Sequence, residues 1–188
     1  MSSNTIFRPG YVIRDQEAPH FLTLTVCGWI DLFTRKSYRD LILENLNYCI
    51  NEKGLEIGAW VIMSNHVHLI ATATGKEPLS AILRDFKKFT SKRMIEMVKS
   101  NEESRRQWMI HQFEYYGSRH AKKQDFQIWT NDNHPEALYT GEMTLCKINY
   151  IHQNPVRAGL VLLPEHFVYS SAIDYAGGKG LLPVRIML

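Results

Sequence analysis

Residues Leu55–Ala73 read LEIGAWVIMSNHVHLIATA. Two β-rich apolar runs, Leu55–Ile62 and His66–Ala73, flank Met63, Ser64 and Asn65, a spacer that suits a hairpin turn or a bulge. Upstream, Phe21–Cys27 (FLTLTVC) alternates large apolar residues with threonine, the period of a strand with one buried face. Between these strands, Leu41, Ile42, Leu46 and Ile50 recur at helical spacing from Tyr38 to Lys53, and Asn51 and Gly54 supply a stop.

Downstream, Pro78 and Ser80 introduce a long helix to about Lys99, with Leu79, Ile82, Leu83, Phe86, Phe89, Met94 and Met97 as its apolar stripe. The polar stretch Asn101–Gln124 begins as a helix carrying Trp108, Phe113 and Tyr116. It ends in the basic run Arg119, His120, Lys122 and Lys123. Phe126–Trp129 suits a short fourth strand, and NDNHPEA supplies turn residues. Thr144–His152 suits a further helix that Pro155 ends or bends. Ser170 or Ser171 suits the cap of a last short helix through Tyr175, before GGKG opens a loose tail. The order strand, helix, strand, strand, helix, strand predicts an α+β chain of the ferredoxin-like, split βαβ type. Its antiparallel sheet would carry helices on one face and leave the other free for a ligand.

The 188 residues suit a single domain, 1–188, with an N-terminal arm at 1–19, a basic insertion at 101–125 and a C-terminal tail at 176–188. With 45% hydrophobic and 22% charged residues the chain is globular in composition. No stretch approaches the roughly 18 apolar residues of a membrane helix, and the opening MSSNTIFRPG has no apolar signal core, so the expected location is the cytoplasm. Three widely spaced cysteines without a CxxC pair predict neither a disulfide framework nor a zinc knuckle. Net charge is +3, too mild on its own to demonstrate a polyanionic partner.

The arrangement of the charges is more informative. Arg84, Lys88 and Lys92 recur every four residues on the second helix, with Lys87, Arg93 and Lys99 beside them, and the run Arg119–Lys123 adds a second basic cluster. Together they favour contact with a phosphate backbone. Trp60, Trp108 and Trp129 are available for base stacking, although core packing is the commoner fate of such residues.

His66 and His68 flank one apolar residue on a strand, so both rings project to the same face about 6.6 Å apart along the backbone. Tyr150 and Asn154 are four residues apart on a helix and share a face, about 5 to 6 Å apart at Cβ. His152 is turned roughly 200° from Tyr150, which ranks it as a residue that supports the site from behind or a structural one. Two imidazoles and an amide oxygen with open positions suit Mg²⁺ or Mn²⁺ better than a closed zinc site. A tyrosine beside such an ion suits nucleophilic attack on a phosphodiester. None of these features is specific alone.

Taken together, WVIMSNHVHLI at Trp60–Ile70, FKKFTSKRM at Phe86–Met94, YIHQNPVRAGLV at Tyr150–Val161 and YSSAIDY at Tyr169–Tyr175 resemble the REP-associated tyrosine transposases, a branch of the one-tyrosine HUH superfamily. The resemblance spans about Phe21 to Tyr175, with its elements in the family's order. It implies a metal-dependent single-strand DNA endonuclease and strand transferase, working through a covalent 5′-phosphotyrosine link on hairpin-containing strands. His66 and His68 match the HUH pair and Tyr150 the nucleophile. Related insertion-sequence enzymes carry glutamine four residues after the tyrosine. This chain has Asn154 there, and Gln153 stays open as the third ligand. Lys87 and Lys88 become candidates for phosphate contacts, and a homodimer stays open. The competing reading is a ferredoxin-like module that holds single-stranded nucleic acid without cutting it, which would leave the His66, His68, Tyr150 and Asn154 set without purpose.

Overall fold

The computed structural model describes residues 13–100, 103–120 and 123–187. The hairpin forms as its spacing predicts, with β2 at Leu55–Ile62 and β3 at His66–Ala73. The first strand, β1 (His20–Thr25), pairs antiparallel with β3 from His20↔Ala71 to Thr25↔His66. A two-residue β4, Glu136–Ala137, lies on the far side of β1, giving the order β2-β3-β1-β4 with every pair antiparallel. This is the α+β, ferredoxin-like arrangement that the sequence predicts.

Strand alternation sorts the side chains into two layers. Leu22 and Leu24 of β1, Val67 and Leu69 of β3, and Ile57, Trp60 and Ile62 of β2 enter the main core with α1 (Lys36–Lys53) and α2 (Leu79–Ser100). Phe21, Ala59, Val61 and Ile70 face the other way and pack against Ile148 and Ile151 of α4 (Gly141–Arg157). A bulge between Ile57 and Ala59, at Gly58, switches the parity of β2 so that both ends of that strand stay in register with the core. The second face, expected to be free, is therefore covered by α4 over β2 and β3.

Several sequence-based boundaries change. Phe126–Trp129 is not the fourth strand. Trp129 makes one bridge to Val26, and the chain then follows the edge of β1 irregularly, with Asn133 O accepting from Thr23 N at 2.9 Å before β4 forms. The turn-forming residues NDNHP bulge this edge without redirecting the chain. The α4 helix runs from Gly141 and continues past Pro155 to Arg157. Pro155 removes one N–H only, near the helix end, and its ring is buried. Ser171 precedes α5 (Ala172–Tyr175) but its side chain does not cap it; of the two serines expected there, it is Ser170 whose Oγ accepts from Ala172 N, at 3.1 Å. The Ser171 Oγ accepts from Trp60 N at 2.9 Å, while Ser171 N donates to Trp60 O at 3.0 Å.

The stretch read as a basic insertion contains α3 (Arg106–Arg119), whose Met109 and Phe113 are wholly buried in the main core. The tail is not loose. Leu182 enters the same core, and Arg185 donates its backbone N–H to Ile57 O at 2.9 Å and its guanidinium to Glu56 at 2.8 Å. The outer edge of β2 is thus covered by Tyr169–Ser171 and Arg185, which removes an exposed pairing edge. Of the arm at 1–19, residues 1–12 lie outside the described residues. Among the described residues, no helix is long and apolar enough to cross a membrane.

Lys87 leaves α2 to hold the irregular edge. Its ammonium donates to Thr130 O at 2.6 Å and Asn133 Oδ1 at 2.7 Å, and burial pushes its pKa down to about 8. The folded protein therefore carries a desolvated charge below about pH 8, a penalty that lifts as pH rises from about 8 towards 10.5. The stability of wild type relative to Lys87→Met is expected to increase across that window, read from urea midpoints at about pH 7.5 and 9.5. Parallel values at both pHs would refute a desolvated ammonium. Two glycines give a second test. Gly54 closes α1 at φ 70°, where an added Cβ would lie 2.6 Å from Gly75 N, whereas Gly159, also at φ 70°, faces open space. Gly159→Ala is expected to cost about 1 kcal/mol and Gly54→Ala about 2 to 4 kcal/mol, measured by denaturant unfolding.

Candidate active site

His66 and His68 project from β3 onto the face that α4 covers, with ring centroids 4.7 Å apart. Each ring is held from its own strand layer. His66 Nδ1 lies 2.7 Å from Asn65 Oδ1, and an amide oxygen only accepts, so Nδ1 carries the proton and Nε2 the lone pair. His68 Nδ1 lies 3.0 Å from Thr23 Oγ1, its register partner on β1, and the ring stacks on Phe21 at 5.3 Å. Burial lowers the pKa of both imidazoles, that of His68 to about 3, with the His66 charge adding to the effect on His68. Both rings are therefore neutral at pH 7, the form that offers a lone pair.

The helix α4 brings the rest. Thr140 caps it by accepting from Met143 N at 3.2 Å, and Ile148 and Ile151 seat it on the sheet. That seat turns Tyr150 toward the histidines, its ring 5.2 Å from His68 and edge-on to Phe21 at 5.8 Å, while 38% of the residue stays exposed. The Arg157 guanidinium lies over the Tyr150 ring at 5.4 Å. One turn on from Tyr150, the Asn154 side chain lies within hydrogen-bonding reach of the His66 ring, and its Nδ2 is 3.5 Å from Tyr150 O. Asn154, not Gln153, is thus the amide set against the histidine pair. His152 points to the other side, as its 200° offset predicts. Its Nε2 lies 2.9 Å from Ser171 Oγ, its ring packs edge-on against Tyr175 at 4.9 Å, and burial lowers its pKa to about 4.

Among the described residues, no three His, Cys, Asp or Glu side chains gather as a metal site. The donor set available here is two neutral imidazoles and one amide oxygen. With His66 Nδ1–H committed to Asn65, the Nε2 lone pair is the one left for a ligand, and the Asn154 side chain lies beside the same ring. The chemistry of such a donor set suits a hard or borderline divalent cation.

The basic residues divide. Arg84, Lys88, Lys92, Arg119 and Lys123 are exposed; Arg84 pairs with Asp85 and Arg119 lies over the Tyr115 ring. Lys87 is turned inward, and Lys122 lies outside the described residues. Arg84, Lys87 and Lys88 line a groove of about 700 Å³ with His120, Gln127 and Asn131, so the basic helix faces one end of the second basic run across a depression. Trp60 and Trp129 are buried, which leaves Trp108 as the exposed member of the three. Trp29, overlooked in the sequence, is 67% exposed and lies 6.1 Å from the His66 ring. The signal available was the glycine before it, which marks a turn directly after the first strand.

Residues 27–130, more than half of the chain, match the family model of IS200-like transposases. A REP-associated tyrosine transposase bound to a REP hairpin has the same fold, with a TM-score of 0.59 and 19% identity over 100% of this chain and 94% of that one. A Deinococcus radiodurans R1 protein assigned as a transposase aligns with a TM-score of 0.42 and 15% identity, over 77% of this chain and 93% of that one. No curated protein matches the chain. The family match includes the His66–His68 strand and the basic helix α2. The chain belongs to the IS200-like transposase family.

Proposed function

We propose that this transposase is a metal-dependent single-strand DNA endonuclease and strand transferase of the REP-associated type, acting in the cytoplasm on hairpin-containing strands. The observation that carries the reading is the convergence of four side chains from two distant segments. His66 and His68 on β3 meet Tyr150 and Asn154 on α4 within one chain. A module that only held nucleic acid would have no use for this set.

In this reading the Tyr150 oxygen attacks the scissile phosphorus. The Tyr–O–P bond forms, the P–O3′ bond breaks, and a 5′-phosphotyrosine and a free 3′-hydroxyl result. Transfer to a new 3′-hydroxyl reverses the step. The partial exposure of Tyr150 lets a strand reach it, and Arg157 over the ring supplies positive charge beside the developing nucleophile. His66, His68 and the Asn154 oxygen would hold Mg²⁺ or Mn²⁺, which when bound polarises the phosphate and neutralises charge in the transition state. Thr23 and Asn65 keep the two rings aimed, as partners of metal-binding histidines commonly do. Arg84, Lys88, Lys92, Arg119 and Lys123 supply the phosphate contacts. A homodimer is not needed to complete the site, because both halves come from one chain.

Two measurements test the assignment. With both single strands of the encoding locus and Mn²⁺, wild type is expected to give a shifted protein–DNA band on a denaturing gel. Tyr150→Phe should give none while binding the same strands within about twofold. Adduct formation by the variant would overturn the nucleophile. His66→Ala and His68→Ala should each weaken Mn²⁺ binding by at least about tenfold in calorimetric titration, and unchanged affinity in both would sink the metal site.

A further inference from the structure

After β1 the chain turns through Cys27–Trp29 at the end of the sheet where His66 opens β3. Gly28 and Trp29 are consecutive left-handed residues, at φ 65° and 56°. Gly28 has a local reason, since an added Cβ would lie 2.8 Å from the Tyr116 hydroxyl. Trp29 has none. A bulky L-residue is disfavoured in this region, where asparagine or glycine is at home. Nor does the indole recover the cost by entering the core, because it is 67% exposed. A large flat apolar face is thus held out to solvent in a conformation that the surrounding structure must enforce.

That enforcement runs through the histidine strand. The Asn65 carboxamide donates from Nδ2 to Trp29 O at 3.2 Å while its Oδ1 accepts from His66 Nδ1 at 2.7 Å. One side chain therefore fixes the indole-bearing turn and the His66 ring together. Val26 N donates to Asn65 O at 2.9 Å, and Ser64 Oγ donates to Asp31 at 2.8 Å, which ties both ends of the turn to the same hairpin loop. The indole and the His66 ring meet in a T-shaped contact at 6.1 Å, beside which most of the indole stays open to solvent.

We propose that Trp29 is a base-stacking platform, seating a nucleobase that adjoins the scissile phosphate and so positioning that phosphate at His66 and His68. The proposal rests on the strand-cleavage reading above. Aromatic stacking suits it because every base presents a π-face, and an exposed tryptophan beside a phosphate site supplies affinity without dictating sequence.

The test uses the full chain with Trp29→Phe, Trp29→Asn and, as a control on the other exposed indole, Trp108→Phe. On a single-stranded dA12 probe, Trp29→Asn is expected to bind roughly 5- to 100-fold more weakly, with Trp29→Phe close to wild type. Quenching of intrinsic fluorescence by the probe should vanish in Trp29→Phe and persist in Trp108→Phe. The melting temperature of Trp29→Asn should equal or exceed that of wild type, since asparagine tolerates the left-handed region; a packing role would lower it. In a cleaved strand from the encoding locus, 2-aminopurine beside the mapped cleavage point should be quenched by wild type and not by Trp29→Phe. Equal affinity and equal adduct formation by wild type and Trp29→Asn would overturn the platform alone. Wild type that binds through Trp29 yet forms no adduct on either strand would overturn the cleavage reading and leave the stacking contact standing.

Discussion

The antiparallel ladder between β1 and β3 is the constraint on which the rest of the molecule depends. Its register sets Thr23 opposite His68 and Thr25 opposite His66. On one face it sends Leu22, Leu24, Val67 and Leu69 into the α1 and α2 core, all four wholly buried. On the other it sends Phe21, His66, His68 and Ile70 toward α4. A slip of one residue would reverse both rows, placing imidazoles in the main core and leucines at the site. Each large aliphatic side chain lost from the core forfeits about 1.5 to 3 kcal/mol, so the leucine row holds the histidine row in place. Core packing and site geometry are two consequences of one hydrogen-bonded ladder.

The second half of the site depends on how firmly α4 sits. Ile148 and Ile151 give it an apolar seat, and His152 ties its back to Ser171, which itself exchanges hydrogen bonds with Trp60 on β2. Tyr175 adds a bond to the carbonyl of the bulge residue Gly58. The segments YIHQNP and YSSAIDY are therefore two sides of one contact, the first carrying Tyr150 and Asn154 and the second anchoring the helix from behind. Because the anchor is internal to the chain, Tyr150 reaches the histidines of its own sheet. A buried histidine two residues from Tyr150 serves to fix the helix, and its neutral state suits that role.

The opposite edge of the sheet is organised by polar contacts. The segment following α3 is too irregular to complete a ladder with β1, and Lys87 supplies bonds to Thr130 and Asn133 that a regular strand would have made. This turns one cation of the basic helix toward the edge of the sheet and leaves Arg84 and Lys88 exposed beside it along the groove. One helix thus divides its basic residues between holding an edge and facing solvent. Asn65 plays a comparable double part at the end of the sheet, where its two amide atoms join the Trp29 turn to His66.

Periodicity and punctuation settled much of this in advance. The period-two run at Phe21–Cys27, the hairpin with His66 and His68 on one face, the Gly54 stop after α1 and the four-residue interval from Tyr150 to Asn154 are local properties, fixed by backbone geometry within a few residues. They gave the β2–β3 hairpin and the two pairs of side chains that share a strand face and a helix face. What sequence spacing does not contain is the pairing of segments far apart. That α4 would cover the second sheet face, that Lys87 would turn inward, that Ser171 would bond Trp60 instead of capping α5, and that the tail would dock beside β2 all follow from contacts across more than 40 residues. The fourth strand lies at Glu136–Ala137 and not at Phe126–Trp129 for the same reason: its position depends on which stretch of chain meets the free edge of β1, and two residues have no period of their own. The sequence by itself determined which side chains share a strand or a helix face; only the tertiary structure decided which faces meet, because that is set by the burial of surfaces that no local interval records.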